Sequence, residues 1–391
     1  MENLEFKPDH RRGTIPLSKP AYTGKEMEYV AQAIHSGQTG GNGPFTRACQ
    51  QWFKEHFGFD HCLLTSSCTD ALEMAALLFD IKEGDEVIVA DYNFTSAANA
   101  FLLRGANVVF APSRIDHPGM DEAAISDLIT PQTKAIVVMH YAGVACDMDQ
   151  IMAIAERHQL KVVEDAAHCM DAFYKGQRLG TFGHLSAFSF HETKNISCGE
   201  GGMLLINDPQ LLDRAEILWQ MGTNRSAYQR GESKDYSWKG IGSSYLMSDV
   251  NAAILLAQLE SLEEIQKERL QLWTNYYREL RALESPLLKL PIIPGYATHN
   301  AHNFYVLLAT RSLRDKLMKS LGSLEITASP HFRSLDMDHK LQHGLLSLVP
   351  IKNQPQYPER ILRLPLFPGL ETKVQQRVIA AIKSFIKEFE D

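Results

Sequence analysis

Residues 185–206 read LSAFSFHETKNISCGEGGMLLI, in which two apolar runs, Leu185-Phe190 and Met203-Ile206, flank a polar turn that carries Lys194 and ends in glycines. Runs of this length read as buried strands. A lysine is ordinarily a solvated surface group. Here it lies where a buried strand empties into a turn and a glycine-rich stretch leads into the next strand, an unusual setting for a surface charge.

Outward from this stretch the same rhythm continues. From about Asp60, apolar runs at His61-Leu64, Glu86-Ala90, Asn107-Phe110, Lys134-Met139 and Lys161-Glu164 alternate with helix-length segments, of which Ala71-Leu78 and Met148-His158 read as crossover helices. Such a pattern predicts an α/β fold with a mostly parallel sheet covered on both faces. Downstream, Leu246-Leu283 is a helical stretch longer than an average globular helix, which predicts a break or bend. After Pro291-Gly295 come an apolar run, Asn303-Leu308, a helix over Leu313-Leu321, a polar loop through 350 and a closing helix from Glu371. The expected organisation is a large unit over 1–260, with a loosely held N-terminal arm, and a small α+β unit over 261–391.

The 391 residues are 45% apolar and 22% charged, enough for a substantial folded core. Thirty-nine basic against 47 acidic residues give a net charge of -8, which offers no broad attraction for nucleic acid or anionic lipid. An anionic ligand must therefore be held locally. The first 20 residues lack the apolar core of a secretory signal, and no apolar run approaches a membrane span. Six cysteines, at 49, 62, 68, 146, 169 and 198, form no CxxC pair and no zinc spacing. These features predict a soluble cytoplasmic protein with free thiols and no metal site.

Besides Lys194, two constellations could carry chemistry. Thr65-Ser66-Ser67-Cys68-Thr69-Asp70 lies between a strand and a helix, where hydroxyls and free N–H groups form either an anion cradle or an ordinary cap. GxxxxGK[ST] is absent, which excludes a Walker site, and no GxGxxG follows the early strands. VVEDAAH, residues 162–168, ends a strand in Glu164-Asp165, with His168 three residues on. An acid there caps a loop or faces the ligand crevice of an open α/β sheet. An anion cradle, a carboxylate and a lysine are together what pyridoxal phosphate requires.

On these motifs the chain resembles the fold-type I aminotransferases and, within them, the DegT/DnrJ/EryC1/StrS sugar aminotransferase family, over nearly its whole length. The resemblance implies pyridoxal 5'-phosphate as cofactor, a mostly parallel large domain and a smaller α+β C-terminal domain. The family's SGTxAL phosphate loop appears as Ser67-Cys68-Thr69-Asp70-Ala71-Leu72, with Cys68 where glycine is usual. By the same resemblance Phe94 stacks on the cofactor ring, Asp165 pairs with the ring nitrogen, and His168 stands where a glutamine contacts the ring oxygen. The resemblance likewise implies Lys194 as the Schiff-base residue and Ser189 as a ligand of the phosphate.

Within GTNRS and IGSSYLMSD, Asn224, Arg225 and Ser244 are expected to reach the partner's site in a homodimer with shared active sites. The family's sugar-facing HYxPLH motif appears as His331-Phe332-Arg333-Ser334-Leu335-Asp336. His331 is expected to face the sugar. Arg333 and Asp336 make new polar contacts there or, the favoured reading, form a solvated pair on a surface loop.

HYAGVACDMD, SFHETKN and IGSSYLMSD further resemble the branch that aminates C4 of dTDP-linked 4-keto-6-deoxyhexoses. The implied reaction is transamination of a nucleotide-linked keto sugar, dTDP-4-dehydro-6-deoxy-D-glucose, with L-glutamate as amino donor, giving a dTDP-4-amino-4,6-dideoxyhexose. A C3-aminating relative and a non-catalytic sensor of the same fold are the alternatives. The dehydratase relatives carry histidine at the position of Lys194, which argues against that chemistry.

Overall fold

The computed structural model describes residues 13–336 and 357–390. The first dozen residues and the later part of the polar loop expected through 350, from residue 337 on, lie outside them.

The apolar runs form one seven-stranded sheet. Its strands are β1 (Cys62–Thr65), β2 (Glu86–Ala90), β3 (Asn107–Ala111), β4 (Thr133–Met139), β5 (Lys161–Asp165), β8 (Leu185–Ser189) and β9 (Gly202–Ile206), in the order β1-β9-β8-β5-β4-β2-β3. The hairpin β6 (Phe173–Tyr174) and β7 (Gln177–Arg178) stands apart as its own small sheet. Pairing is parallel from β3 through β8, and β9 runs antiparallel to both β8 and β1. Six strands therefore point one way. Apolar clusters fill both faces, with Ile88, Ile136 and Val162 on one and Val87, Val137 and Val163 on the other. This two-sided burial is why the strands read as continuous apolar runs.

The helices follow local chemistry. α3 (Cys68–Leu78) starts where the Ser67 hydroxyl accepts from the Asp70 N–H at 3.1 Å, three residues before the predicted start. The long helical stretch is two helices, α9 (Asp249–Glu260) and α10 (Leu262–Arg281), broken at Ser261. α9 lies buried among the sheet's apolar residues, whereas α10 carries Trp273, Tyr276 and Leu280 into a separate core. That core backs an antiparallel three-stranded sheet of β10 (Leu288–Lys289), β11 (Phe304–Leu308) and β12 (Ile361–Leu364), together with α11 (Arg311–Ser323) and the closing helix Thr372–Glu390. All six cysteines are free, and no helix among the described residues is long and apolar enough to cross a membrane.

Candidate active site

Strands that point the same way end on the same edge, and in open α/β sheets that edge holds the ligand. At this edge β1 runs into the 66–70 turn, β2 into Asn93 and Phe94, β4 ends at Met139, β5 at Asp165 and β8 at Ser189. These residues border one cavity of about 460 Å³, together with His168, Lys194, His331 and Phe332. Eight of the residues singled out from sequence thus meet: Ser67, Cys68, Thr69, Phe94, Asp165, His168, Ser189 and Lys194 all line it, and His331 joins them from the far side.

The phosphate-type turn is held close to the sheet by a glycine. Gly202 opens β9 between Thr65 and Ser189, and a Cβ there would collide with the backbone of Ser67 and Cys68. The Thr69 hydroxyl meets Ser96 Oγ at 2.7 Å, while the Ser66 hydroxyl donates to the Asp70 carboxylate. Cys68 lies beside Lys194, and burial pushes its thiol well above the ordinary range.

Asp165 is buried, and burial raises its carboxyl above the usual carboxylate range. The Ala167 N–H, donating to Oδ1 at 3.2 Å, and the Lys194 charge offset part of that cost. The Asn93 amide also favours the ionised carboxylate, although its Nδ2 is buried without a hydrogen bond of good geometry. Burial lowers Lys194 below the ordinary lysine range, opposed by Cys68 and Asp165. A carboxylate kept waiting for a cation, a lysine eased toward its neutral amine, a turn of hydroxyls and N–H groups, and the half-exposed face of Phe94 fit pyridoxal phosphate.

Lys194 is positioned from beneath by its neighbour. Asn195 Nδ2 donates to Gln266 Oε1 and to the Asn300 carbonyl, both at 2.8 Å, and its Oδ1 lies 2.9 Å from His302 Nδ1. His302 stacks on His168 with ring centroids 3.9 Å apart. Asn300 Nδ2 ties the His168 and Met170 carbonyls, each at 2.7 Å. The Ala142 N–H donates to His168 Nδ1 at 3.3 Å, which leaves Nε2 as the ring nitrogen available to a ligand. His331 Nδ1 meets the Tyr141 hydroxyl at 3.1 Å, and burial drives the imidazole down to about 2.

The 331–336 segment differs from the favoured expectation of a solvated pair. Ser334, Leu335 and Asp336 are buried, and only Arg333 is exposed. Asp91, at the end of β2, accepts from the Ser334 hydroxyl at 2.9 Å and from the Asp336 N–H at 2.8 Å, and its carbonyl takes the Leu335 N–H at 3.1 Å. Leu335 joins the apolar cluster on one face of the sheet. Burial of that side chain draws the segment inward, and Asp91 fastens it, so Phe332 stands 6.1 Å from Phe94 across the cavity.

Three predicted residues lie away from this cavity. Asn224 is used within its own loop, donating to Ser233 Oγ and the Asp235 carbonyl and accepting from the Ser237 N–H. Ser244 is exposed and bridges Gln220 through its backbone. Arg225 lines a separate polar cleft of about 230 Å³ with Gln38, Asn42, Arg47 and Gln229. Sequence reading missed Asn93, Asp91 and the Asn195–His302 support. Asp91 did carry a signal, since it ends an apolar strand as Asp165 does.

Comparison with known proteins agrees with this site. Residues 20–383 match the model of the DegT/DnrJ/EryC1/StrS aminotransferase family. The aminotransferase TlmJ from Streptoalloteichus hindustanus is 26% identical, with a TM-score of 0.88 over 96% of this chain and 100% of its own. S. venezuelae DesV, solved in complex with a ketimine intermediate, is 28% identical, with a TM-score of 0.85 over 96% of this chain and 99% of its own. The sugar aminotransferase Spr1654 from Streptococcus pneumoniae, described as putative and solved in its PLP form, shares the fold at 22% identity and a TM-score of 0.85, over 96% of this chain and 99% of its own. The fold is that of the fold-type I aminotransferases. With the family match running across nearly all of the described chain, the protein belongs to the DegT/DnrJ/EryC1/StrS family and is a PLP-dependent sugar aminotransferase.

Proposed function

We propose that the enzyme moves the amino group of L-glutamate to C4 of dTDP-4-dehydro-6-deoxy-D-glucose, giving a dTDP-4-amino-4,6-dideoxyhexose. The observation that carries this reading is that Lys194, Asp165 and the 67–69 turn border one cavity whose far wall bears His331 and Phe332. The C4 position and the dTDP carrier rest on likeness of the HYAGVACDMD, SFHETKN and IGSSYLMSD motifs to that branch. Bound pyridoxal phosphate supplies an electron sink and a carrier for the amino group.

The chain's own groups do the rest. Ser67, Thr69 and Ser189, with the N–H groups at the start of α3, hold the phosphate. Asp165 keeps a proton on the ring nitrogen, because a buried carboxylate is most stable beside a cation. Lys194, its proton affinity reduced by burial, would take and return the proton at the substrate carbon. Phe94 would cover a face of the bound ring, and His168 would serve its oxygen. Asn224, Arg225 and Ser244 act toward the second subunit of a homodimer. In this reading residues 1–260 form the cofactor-binding domain, 261–391 form the smaller one, and the enzyme works in the cytoplasm.

The decisive assay incubates holoenzyme with dTDP-4-dehydro-6-deoxy-D-glucose and glutamate, then locates the new amine by NMR. An amine on C3, or no product from this sugar, rejects the substrate assignment and leaves the cofactor chemistry intact. Light scattering at assay concentration should give a dimer; a fully active monomer would contradict the shared-site assignment.

A further inference from the structure

Asn93 follows the end of β2, at the edge of the sheet where the cavity lies, and lines that cavity together with Asp165. It is 1% exposed. Its Oδ1 accepts the Phe94 N–H at 2.6 Å, which fixes the amide and leaves the NH2 group as its free end. That Nδ2 is buried without a hydrogen-bond partner. A buried amide donor with no acceptor is costly, and an orphan of this kind on the wall of a site calls for an explanation. The acceptor at hand is Asp165. Among the described residues that carboxylate takes one hydrogen bond of good geometry, from the Ala167 N–H, and the Asn93 amide lies close enough to favour its ionised form. The titratable groups around it are Lys194, Cys68, Cys169 and His140.

We propose that Asn93 is a positioning residue, whose amide donates to the Asp165 carboxylate when the cofactor is bound and so keeps that carboxylate ionised and turned toward the ring nitrogen. The inference rests on the reading of Asp165 as the partner of that nitrogen and adds what holds Asp165 to the task. An amide suits the place because it donates without carrying charge. A lysine or arginine there would satisfy Asp165 itself and weaken the hold of the carboxylate on a protonated ring. Through Oδ1 the same side chain fastens the backbone of Phe94, which would cover a face of the ring. One amide thus ties the group beside the ring to the group at its nitrogen. The sugar is the rival acceptor, but it would meet the wall of His331 and Phe332, which are partly exposed, whereas Asn93 and Asp165 are both buried.

The test loads the enzyme with pyridoxal phosphate carrying nitrogen-15 in the ring and follows that resonance against pH. In Asn93→Ala the ring nitrogen should bind its proton about tenfold more weakly than in wild type, as expected when a charged acceptor loses one hydrogen bond. A loosened Phe94 alone would weaken cofactor retention and leave the proton in place. An unchanged titration in folded, cofactor-loaded Asn93→Ala protein therefore overturns the proposal. Asp165→Asn, measured alongside, separates the two readings. If it too leaves the titration unchanged, the assignment of Asp165 fails and this inference falls with it; if it alone moves the titration, only the role of Asn93 is lost. Should Asn93→Ala not fold or not hold the cofactor, a crystal structure of the wild-type holoenzyme decides. Nδ2 within about 3.2 Å of an Asp165 carboxylate oxygen supports the proposal, and Nδ2 bonded to the cofactor, to a sugar or to nothing overturns it.

Discussion

Asp165 and Lys194 each stand where a buried strand meets a turn, and burial displaces both from their ordinary proton affinities: Lys194 toward the neutral amine its role uses, and Asp165 toward the protonated acid, so that a facing cation is what holds its carboxylate ionised. Asp165→Asn should therefore retain part of the cofactor and lose turnover by roughly 100-fold or more, since a neutral amide no longer stabilises a protonated ring. Near wild-type turnover would remove Asp165 from the chemistry. After borohydride treatment, the wild-type peptide bearing Lys194 should gain the cofactor's mass; in Lys194→Ala no peptide should. Asp91→Ala leaves the Ser334 hydroxyl and the Asp336 N–H without their acceptor and should cost about 1–3 kcal/mol of stability. Because the loop it releases carries His331 and Phe332, KM for the sugar should rise more than KM for the donor. Equal changes in both would separate Asp91 from the sugar wall. Asp165 and Lys194 were legible because each breaks an apolar run within its own segment. Asp91 ends an apolar strand too, yet its meaning lies in partners far along the chain, at Ser334 and Asp336, and no local pattern reports those.

At the scale of elements, alternating apolar runs and helices announced the parallel sheet because every strand is buried on both faces. The reversal of β9 was not announced, since a fully buried strand looks the same in either direction. That reversal puts Gly202 against the 67–69 turn, and only a residue without a side chain fits there. Gly202→Ala must push the turn away and should weaken cofactor retention about tenfold or more, measured by dialysis and absorbance. Gly322, exposed in α11 with open space around it, is the matching control. Gly322→Ala should leave cofactor binding untouched and stabilise the helix by up to about 1 kcal/mol. Equal cofactor retention in the two variants would show that contact between β9 and the turn does not shape the cradle. The break at Ser261 was legible as an excess of helix length, while its position was not, and the passage between cores comes later, within α10, where Leu262 and Ile265 still belong to the sheet's cluster and Leu272 and Trp273 to the C-terminal one.

At the scale of the whole molecule, and among the described residues, burial lowers six histidines toward the neutral form: His117 and His299 fall to about 4, His331 to about 2, His168 and His302 go well below their ordinary value, and His184 is lowered as well. In the unfolded chain each takes up a proton near 6.5. Between about 6.5 and 4 the unfolded state therefore binds more protons than the folded one, so stability must fall as pH falls through that window. Asp165 and Glu73, raised by burial, act in the opposite sense, but they are two groups against six. Glu164, lowered by His140 and the N–H groups of Gly180 and Gly183, adds its own loss only when pH drops below about 4.5. The thiols of Cys49, Cys62, Cys146, Cys169 and Cys198, raised by burial, set the other limit, since an unfolded chain ionises them above about 9. The melting temperature should thus hold a plateau between about pH 6.5 and 9 and descend on both sides. Unfolding at pH 5.5 should take up protons, measurable by calorimetry in buffers of different ionisation enthalpy. A melting temperature that stays level from pH 7 down to pH 5 would mean that these imidazoles are already charged in the folded protein, and the neutral His168–His302 stack beneath Lys194 would have to be abandoned with them.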